Sequence, residues 1–168
     1  MPVPPAPVAA VPAQLRGMAA PGLSTEGRRL LAGLADGSVP GPAAAGTLRL
    51  PPATGFAAGR VTCSTRFEEP LTLTPNVVFG GWIACLVDHF AGLVMLSALP
   101  DGTRFLTSDL NVTYHAPLRP GPVEVRAELS LCTTRLAVVE VAFAQDGRTV
   151  STGRVEQILH RPQGVPGA

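Results

Sequence analysis

Residues 76–99 read NVVFGGWIACLVDHFAGLVMLSAL, and the fold turns on this stretch. It has the length and apolarity of a buried helix, from about Phe79 to about Leu99, opening on Gly80-Gly81 and carrying Asp88 in its middle. A charged group is costly to bury, so the carboxylate needs a reason to be there. Stepping from Asp88 by three or four residues traces one face through Gly81, Ala84, Cys85, Ala91, Gly92 and Met95, nearly all small. The bulky Trp82, Leu86, Phe90, Leu93 and Leu96 lie on the other faces and read as packing surface. A face of small residues lets a ligand, another helix or a strand come close. About 20 mostly apolar residues can also span a bilayer. Asp88 and His89 at the centre oppose that reading, since an acid there costs roughly 2.5–3.5 kcal/mol on insertion, and no basic run flanks the segment. A buried helix of a soluble domain is the expectation.

At 168 residues the chain has room for one domain with tails. Its 13 basic residues nearly balance 12 acidic ones, which leaves no field to attract nucleic acid or a membrane surface. Every basic residue is Arg; without Lys, Schiff-base chemistry and a P-loop lysine are excluded. Cys63, Cys85 and Cys132 form no CxxC pair and read as buried free thiols, in keeping with the cytoplasm. His89, His115 and His160 have no zinc-site spacing, so no metal is expected.

The Pro/Ala-rich residues 1–22 read as a disordered leader rather than a secretory signal. Residues 23–43 hold a short helix capped by Ser24 and ending near Gly37, then a Pro/Gly linker. The main domain is expected over 44–161 and a disordered tail over 162–168. Within it, Thr47 to Leu50 suggests a short strand, and Gly59 to Phe67 alternates as a half-buried one. Pro70 and Pro75 bound a loop into the central helix, which Pro100-Asp101-Gly102 ends. From Phe105 to His115, Leu106, Ser108, Leu110, Val112 and Tyr114 are placed on one face, and Thr107, Asp109, Asn111 and Thr113 on the other. Strands follow at Val123–Leu131, Leu136–Ala144 and Thr149–Leu159, the last two joined by an Asp146-Gly147 turn. Short connections suggest antiparallel neighbours throughout. One long helix and an antiparallel meander make an α+β domain in which the sheet curls round the helix, with an edge that favours a dimer.

This order resembles the hotdog-fold acyl-CoA thioesterases of the phenylacetate-pathway (PaaI-like) type. Gly80, Gly81 and, eight residues after Gly80, Asp88 fit that family's spacing. Thr107-Ser108-Asp109-Leu110-Asn111-Val112-Thr113-Tyr114-His115-Ala116-Pro117 fits its T-x-D-L-N-V-x-Y-x-x-P strand, and Asp146-Gly147-Arg148 its last hairpin. The likeness covers roughly residues 44–160. Phe79 stands where the family usually has His, and the loop from Asn76 to Gly80 is shorter than usual.

The resemblance implies hydrolysis of an acyl-CoA thioester without metal or redox cofactor, in a homodimer or homotetramer whose site lies between subunits. Unpaired amides at a helix N-terminus stabilise developing negative charge, so the Gly80 N–H is the expected oxyanion donor, with Gly81 beside it. Asp88 would act as general base or nucleophile. Thr107 matches a hydroxyl residue that positions water, and Asn76 is a polar candidate near the oxyanion end. Trp82 is either packing or acyl-pocket lining. Arg135, Arg148 or Arg154 can meet coenzyme A phosphates, Arg135 being the first choice. Asp109 and Asn111 read as dimer seam, His89 as a core or interface residue, and His115 as part of a turn. Two rivals stand beside this reading. A non-catalytic acyl-CoA-binding hotdog protein is suggested by Phe79; a hotdog hydratase or dehydratase would need its acid and histidine apart, not adjacent as in Asp88-His89.

Overall fold

The computed structural model describes residues 24–160; the leader and tail expected at 1–22 and 162–168 lie outside the described residues. Helix α1 (Thr25–Asp36) starts where Ser24 Oγ accepts the Gly27 N–H at 2.8 Å and stops at Gly37, whose φ of 77° only a residue free of Cβ strain adopts easily. The expected strand at Thr47–Leu50 is absent. An alanine-rich turn of helix, α2 (Ala43–Thr47), runs into it, and Leu48 closes that turn instead of pairing. Strands β1 (Gly55–Ala57) and β2 (Arg60–Phe67) form a hairpin over Gly59. The loop expected between Pro70 and Pro75 contains a 3-10 turn (Glu69–Leu71) and a small hairpin of β3 (Thr72–Thr74) and β4 (Val77–Val78).

The central helix, α3 (Gly80–Ala98), has the expected bounds to within a residue. It is followed by β5 (Arg104–Tyr114), β6 (Gly121–Cys132), β7 (Leu136–Gln145) and β8 (Arg148–His160). The six-stranded sheet runs β1-β2-β6-β7-β8-β5 and is antiparallel at every pair. It curls over α3 and leaves Leu86, Val87, Phe90 and Val94 at 0% exposure. Burying each such side chain is worth about 1.5–3 kcal/mol, which makes this face of α3 a large contributor to stability. Contact is close enough that a Cβ on Gly153 of β8 would collide with the Val87 side chain. Although α3 is long and apolar enough to cross a membrane, most of it is buried inside the domain.

Two expectations about the sheet fail, each for a physical reason. Only β6, β7 and β8 form a meander; β5 lies at the far edge and pairs with β8, not β6. Residues 115–120 carry the chain back across the strand ends. Three strand spacings are roughly 14 Å and six residues reach about 20 Å, so a short connection does not force neighbours. The crossing is pinned by Val78 N–H on the Leu118 carbonyl at 2.9 Å and by Gln145, which bonds both Arg119 N–H and the Arg119 carbonyl.

The alternation expected along β5 also breaks. Thr107 lies opposite Gln157 of β8 and Asp109 opposite Glu156, so Ser108 is an extra, bulged residue. Thr107 therefore joins Phe105, Leu110, Val112 and Tyr114 on the face toward α3, while Leu106, Asp109, Asn111 and Thr113 face out. The bulge puts Thr107 on the same face as Leu110, Val112 and Tyr114, where uninterrupted alternation separates them.

Candidate active site

The bulge at Ser108 sets the first part of the site. Thr107, turned inward, donates from Oγ1 to Asp88 Oδ1 at 2.7 Å. Thr107 Oγ1 in turn lies 3.4 Å from the amide nitrogen of Gln157, the residue opposite it on β8. Asp88 itself is exposed, which corrects the expectation of a buried charge: the single chain leaves it uncovered. Of the stripe read from the sequence, Gly81 and Asp88 are exposed and Ala84, Cys85 and Gly92 half-buried, while Ala91 and Met95 are inside. One open stripe on an otherwise buried helix is thus lined almost wholly by small residues and one carboxylate.

The second part is the start of α3. Its N-cap, Phe79, has no side-chain acceptor, and the first intrahelical bonds run from Trp82 and Ile83 N–H to the Phe79 carbonyl at 3.0 and 3.2 Å. The Gly80 and Gly81 amides precede those bonds at the positive end of the helix. Tyr114, at the far end of β5, donates from its hydroxyl to the Gly80 carbonyl at 2.8 Å. Its ring is 3.3 Å from where a Gly80 Cβ would be, and the Phe79 ring is 2.6 Å from a Gly81 Cβ. Both glycines thus lie close under aromatic rings that are themselves half exposed, Tyr114 at 51% and Phe79 at 49%.

The other candidates fall elsewhere. Asn76 turns the β3–β4 hairpin with φ 64°, a left-handed conformation that Asn tolerates after Pro75; no contact joins it to Asp88. Trp82 is 6% exposed, donates its indole N–H to the Leu48 carbonyl at 2.6 Å and meets Phe67 edge-on, so it packs the core. Arg135 lies in the β6–β7 turn, its carbonyl accepting the Leu159 N–H. Arg154 is held by Glu140 and Glu156 on the outer face of the sheet. His115 Nε2 meets Thr152 Oγ1 at 2.9 Å where the chain leaves β5.

His89 turns from Asp88 toward the Pro51 carbonyl, 2.9 Å from its Nε2, and burial lowers its pKa against the opposing pulls of that bond and of Asp88. Cys63 and Cys85 are free thiols; Cys63 and Cys132 are buried and Cys85 half-buried. Burial, with the Glu124 charge adding to it, pushes the Cys63 thiol up to about 11, out of nucleophile range. Among the described residues no group of three or more His, Cys, Asp or Glu could hold a metal.

Sequence reasoning missed Tyr114 and Gln157 as parts of the site. Gln157 does carry a signal, since it stands where the alternation of Val155 and Leu159 calls for an apolar residue. The role of Tyr114 depends on the return of β5 toward the start of α3, which no local pattern announces.

A helix wrapped by a curled sheet, with a Thr-braced carboxylate on its open stripe and bare amides at its start, defines a hotdog domain of the thioester-hydrolase type. The sequence profile of the thioesterase superfamily matches residues 75–152 of the chain. The fold is similar to that of a phenylacetic acid degradation-related protein from Ralstonia eutropha, at 26% identity and TM-score 0.68 over 80% of this chain and 99% of that one. It is also similar to zebra fish thioesterase superfamily member 2, at 23% identity and TM-score 0.67 over 79% and 94% of the two chains. A Haemophilus influenzae thioesterase has the same fold at 16% identity and TM-score 0.64, over 73% and 87%. No curated protein matches the chain in sequence.

Proposed function

We propose that the protein hydrolyses acyl-CoA thioesters, with Asp88 as general base or nucleophile and the Gly80 N–H as oxyanion donor, in a site shared by two subunits. The observation that carries this is the placing of Asp88 and Gly80 at opposite ends of one edge strand, Asp88 bonded to Thr107 and Gly80 to Tyr114. Eight residues of helix separate the two by about 12 Å along the axis. A carbonyl under attack must lie within about 3–3.5 Å of both nucleophile and oxyanion donor. The two groups of one chain therefore cannot serve one carbonyl.

A second copy resolves this. β5, eleven residues long with mostly exposed side chains, pairs with β8 on one side and has no strand on its outer edge among the described residues. Antiparallel pairing of two β5 edges about a two-fold at Asn111 keeps like faces together: Leu110 opposite Val112 and, past the bulged Ser108, Thr107 opposite Tyr114. Asp88 of one subunit then faces the helix start of the other. In that site the Gly80 amide polarises the carbonyl, and Asp88 takes a proton from water as its oxygen attacks the carbonyl carbon. The C–S bond then breaks and the thiolate of coenzyme A takes up the proton. Attack by Asp88 itself, with water cleaving the resulting anhydride, uses the same groups. Water and thioester suffice; no cofactor enters.

Thiol release from short, medium and aryl acyl-CoAs, for wild type beside Asp88→Asn, tests the reading. Wild-type release that falls at least about a hundredfold in the variant is expected. Equal release by both proteins would remove Asp88 from the mechanism. The Phe79 ring across Gly81 favours a second reading, an acyl-CoA-binding module. It would show as saturable binding of the same esters with no thiol released.

A further inference from the structure

Gln157 is a polar side chain buried in the core, 1% exposed, on the face of β8 that packs under α3. Its Oε1 and the Ser151 hydroxyl are the buried side-chain atoms left without a hydrogen-bond partner among the described residues. An unpaired buried acceptor costs stability, and an apolar side chain of the same shape would avoid that cost. A residue that the fold would do better without invites a functional account. What Gln157 does touch is Thr107: its Nε2 lies 3.4 Å from Thr107 Oγ1, directly across the strand pair.

The hydroxyl of Thr107 has one proton to give. A carboxylate is its best acceptor, and at 2.7 Å Asp88 receives it. The remaining lone pairs of Oγ1 then face a donor, which fixes the Gln157 amide with its nitrogen toward Thr107. From this geometry we infer that Gln157 is a positioning residue: its buried N–H holds Thr107 Oγ1 so that the threonine proton is committed to Asp88. The relay runs Gln157 Nε2–H to Thr107 Oγ1–H to Asp88 Oδ1. It lets an open carboxylate keep one fixed donor before substrate arrives, which leaves the other oxygen for water or the acyl carbon. Gln157 lies beyond the segment matched to the superfamily, residues 75–152. The inference rests on the proposed role of Asp88.

The test uses the full chain carrying Gln157→Met, Thr107→Val, or both. Three-bond couplings from the Thr107 methyl carbon to its backbone need no turnover. They should report one χ1 rotamer in wild type and averaging in Gln157→Met. In acyl-CoA hydrolysis, kcat of Gln157→Met should fall about fivefold to tenfold with KM within about twofold. Its melting midpoint should stay level or rise, the reverse of what a merely structural role gives. In the Thr107→Val background Gln157→Met should change nothing further. An unchanged Thr107 rotamer, an unchanged kcat, or a full extra loss in the Thr107→Val background would overturn the relay. Asp88→Asn separates the two failures. Full activity in that variant sinks the role of Asp88, whereas its loss beside a wild-type-like Gln157→Met sinks only the relay.

Discussion

The two sides of α3 obey different rules. On the side under the sheet, Leu86, Val87, Phe90 and Val94 are large, apolar and 0% exposed. On the open side, Gly81, Ala84, Cys85, Asp88 and Gly92 leave a shallow stripe with a charge at its centre. The first side is explained by folding, since each large apolar group removed from water stabilises the domain. The second side contributes little burial to the chain alone, so its small residues answer to whatever comes to lie against it. Stability and activity should therefore separate by helix face, although the residues alternate within one 19-residue helix.

The largest effect should come from testing that separation directly. Phe90→Ala empties a fully buried site and should cost about 3–5 kcal/mol in chemical denaturation. Asp88→Ala, two positions earlier on the exposed stripe, should move stability by no more than about 0.5 kcal/mol while abolishing hydrolysis. A comparable stability loss in both would mean that the open side is not open.

Next comes the cover of the stripe. With the two-fold at Asn111, Asn111→Arg brings two like charges together across the axis, beside Arg154 on each neighbouring strand. The dimer dissociation constant, by sedimentation equilibrium, should rise at least about tenfold, and activity should follow dimer population. An unchanged constant would move the two-fold away from Asn111. A smaller loss should follow Tyr114→Phe, which removes only the hydroxyl bonded to the Gly80 carbonyl. A kcat reduced about fivefold, with the fold intact by circular dichroism, is expected. No change would leave the start of α3 positioned without β5.

Most of the architecture was legible because it rests on periodicity. The 3.6-residue pattern of α3 and the alternation of β6, β7 and β8 report burial directly, and Asp146-Gly147 takes φ of 52° and 73° as such a hairpin turn requires. The local exceptions were not legible. A bulge adds one residue without changing composition, so nothing in Thr107-Ser108-Asp109 says where the alternation slips. Strand order failed too, because residues 115–120 cross the sheet by contacts with Val78 and Gln145 that are distant in sequence. The site divides in the same way. Asp88 stood out as a charge in an apolar helix, while Gly80 and Thr107 became candidates through the resemblance. Gln157 could not be read in either way, because its meaning depends on lying opposite Thr107 in a register set by the bulge.

The smallest effect concerns His89, which stands on the shoulder between the two sides of α3. It is half-buried, with its Nε2 on the Pro51 carbonyl and its ring edge-on to Phe90 at 5.3 Å. Since a carbonyl only accepts, Nε2 carries the proton of a neutral ring. Burial lowers the His89 pKa from 6.5 in the folded chain. The unfolded chain then binds a proton more readily than the folded one below that pH, so stability must rise with pH there. The contribution is complete above about pH 6.5 and is lost as acidification passes from that value down through the lowered folded pKa. His89→Gln keeps a donor for Pro51 and removes the titration. Denaturation midpoints measured from pH 7.5 to 5 should fall more steeply for wild type than for this variant. One proton limits the difference in slope to about 1.4 kcal/mol per pH unit. Parallel slopes would mean that His89 is solvated in both states, which would assign the shoulder of α3 to the open side with Asp88 rather than to the core with Phe90.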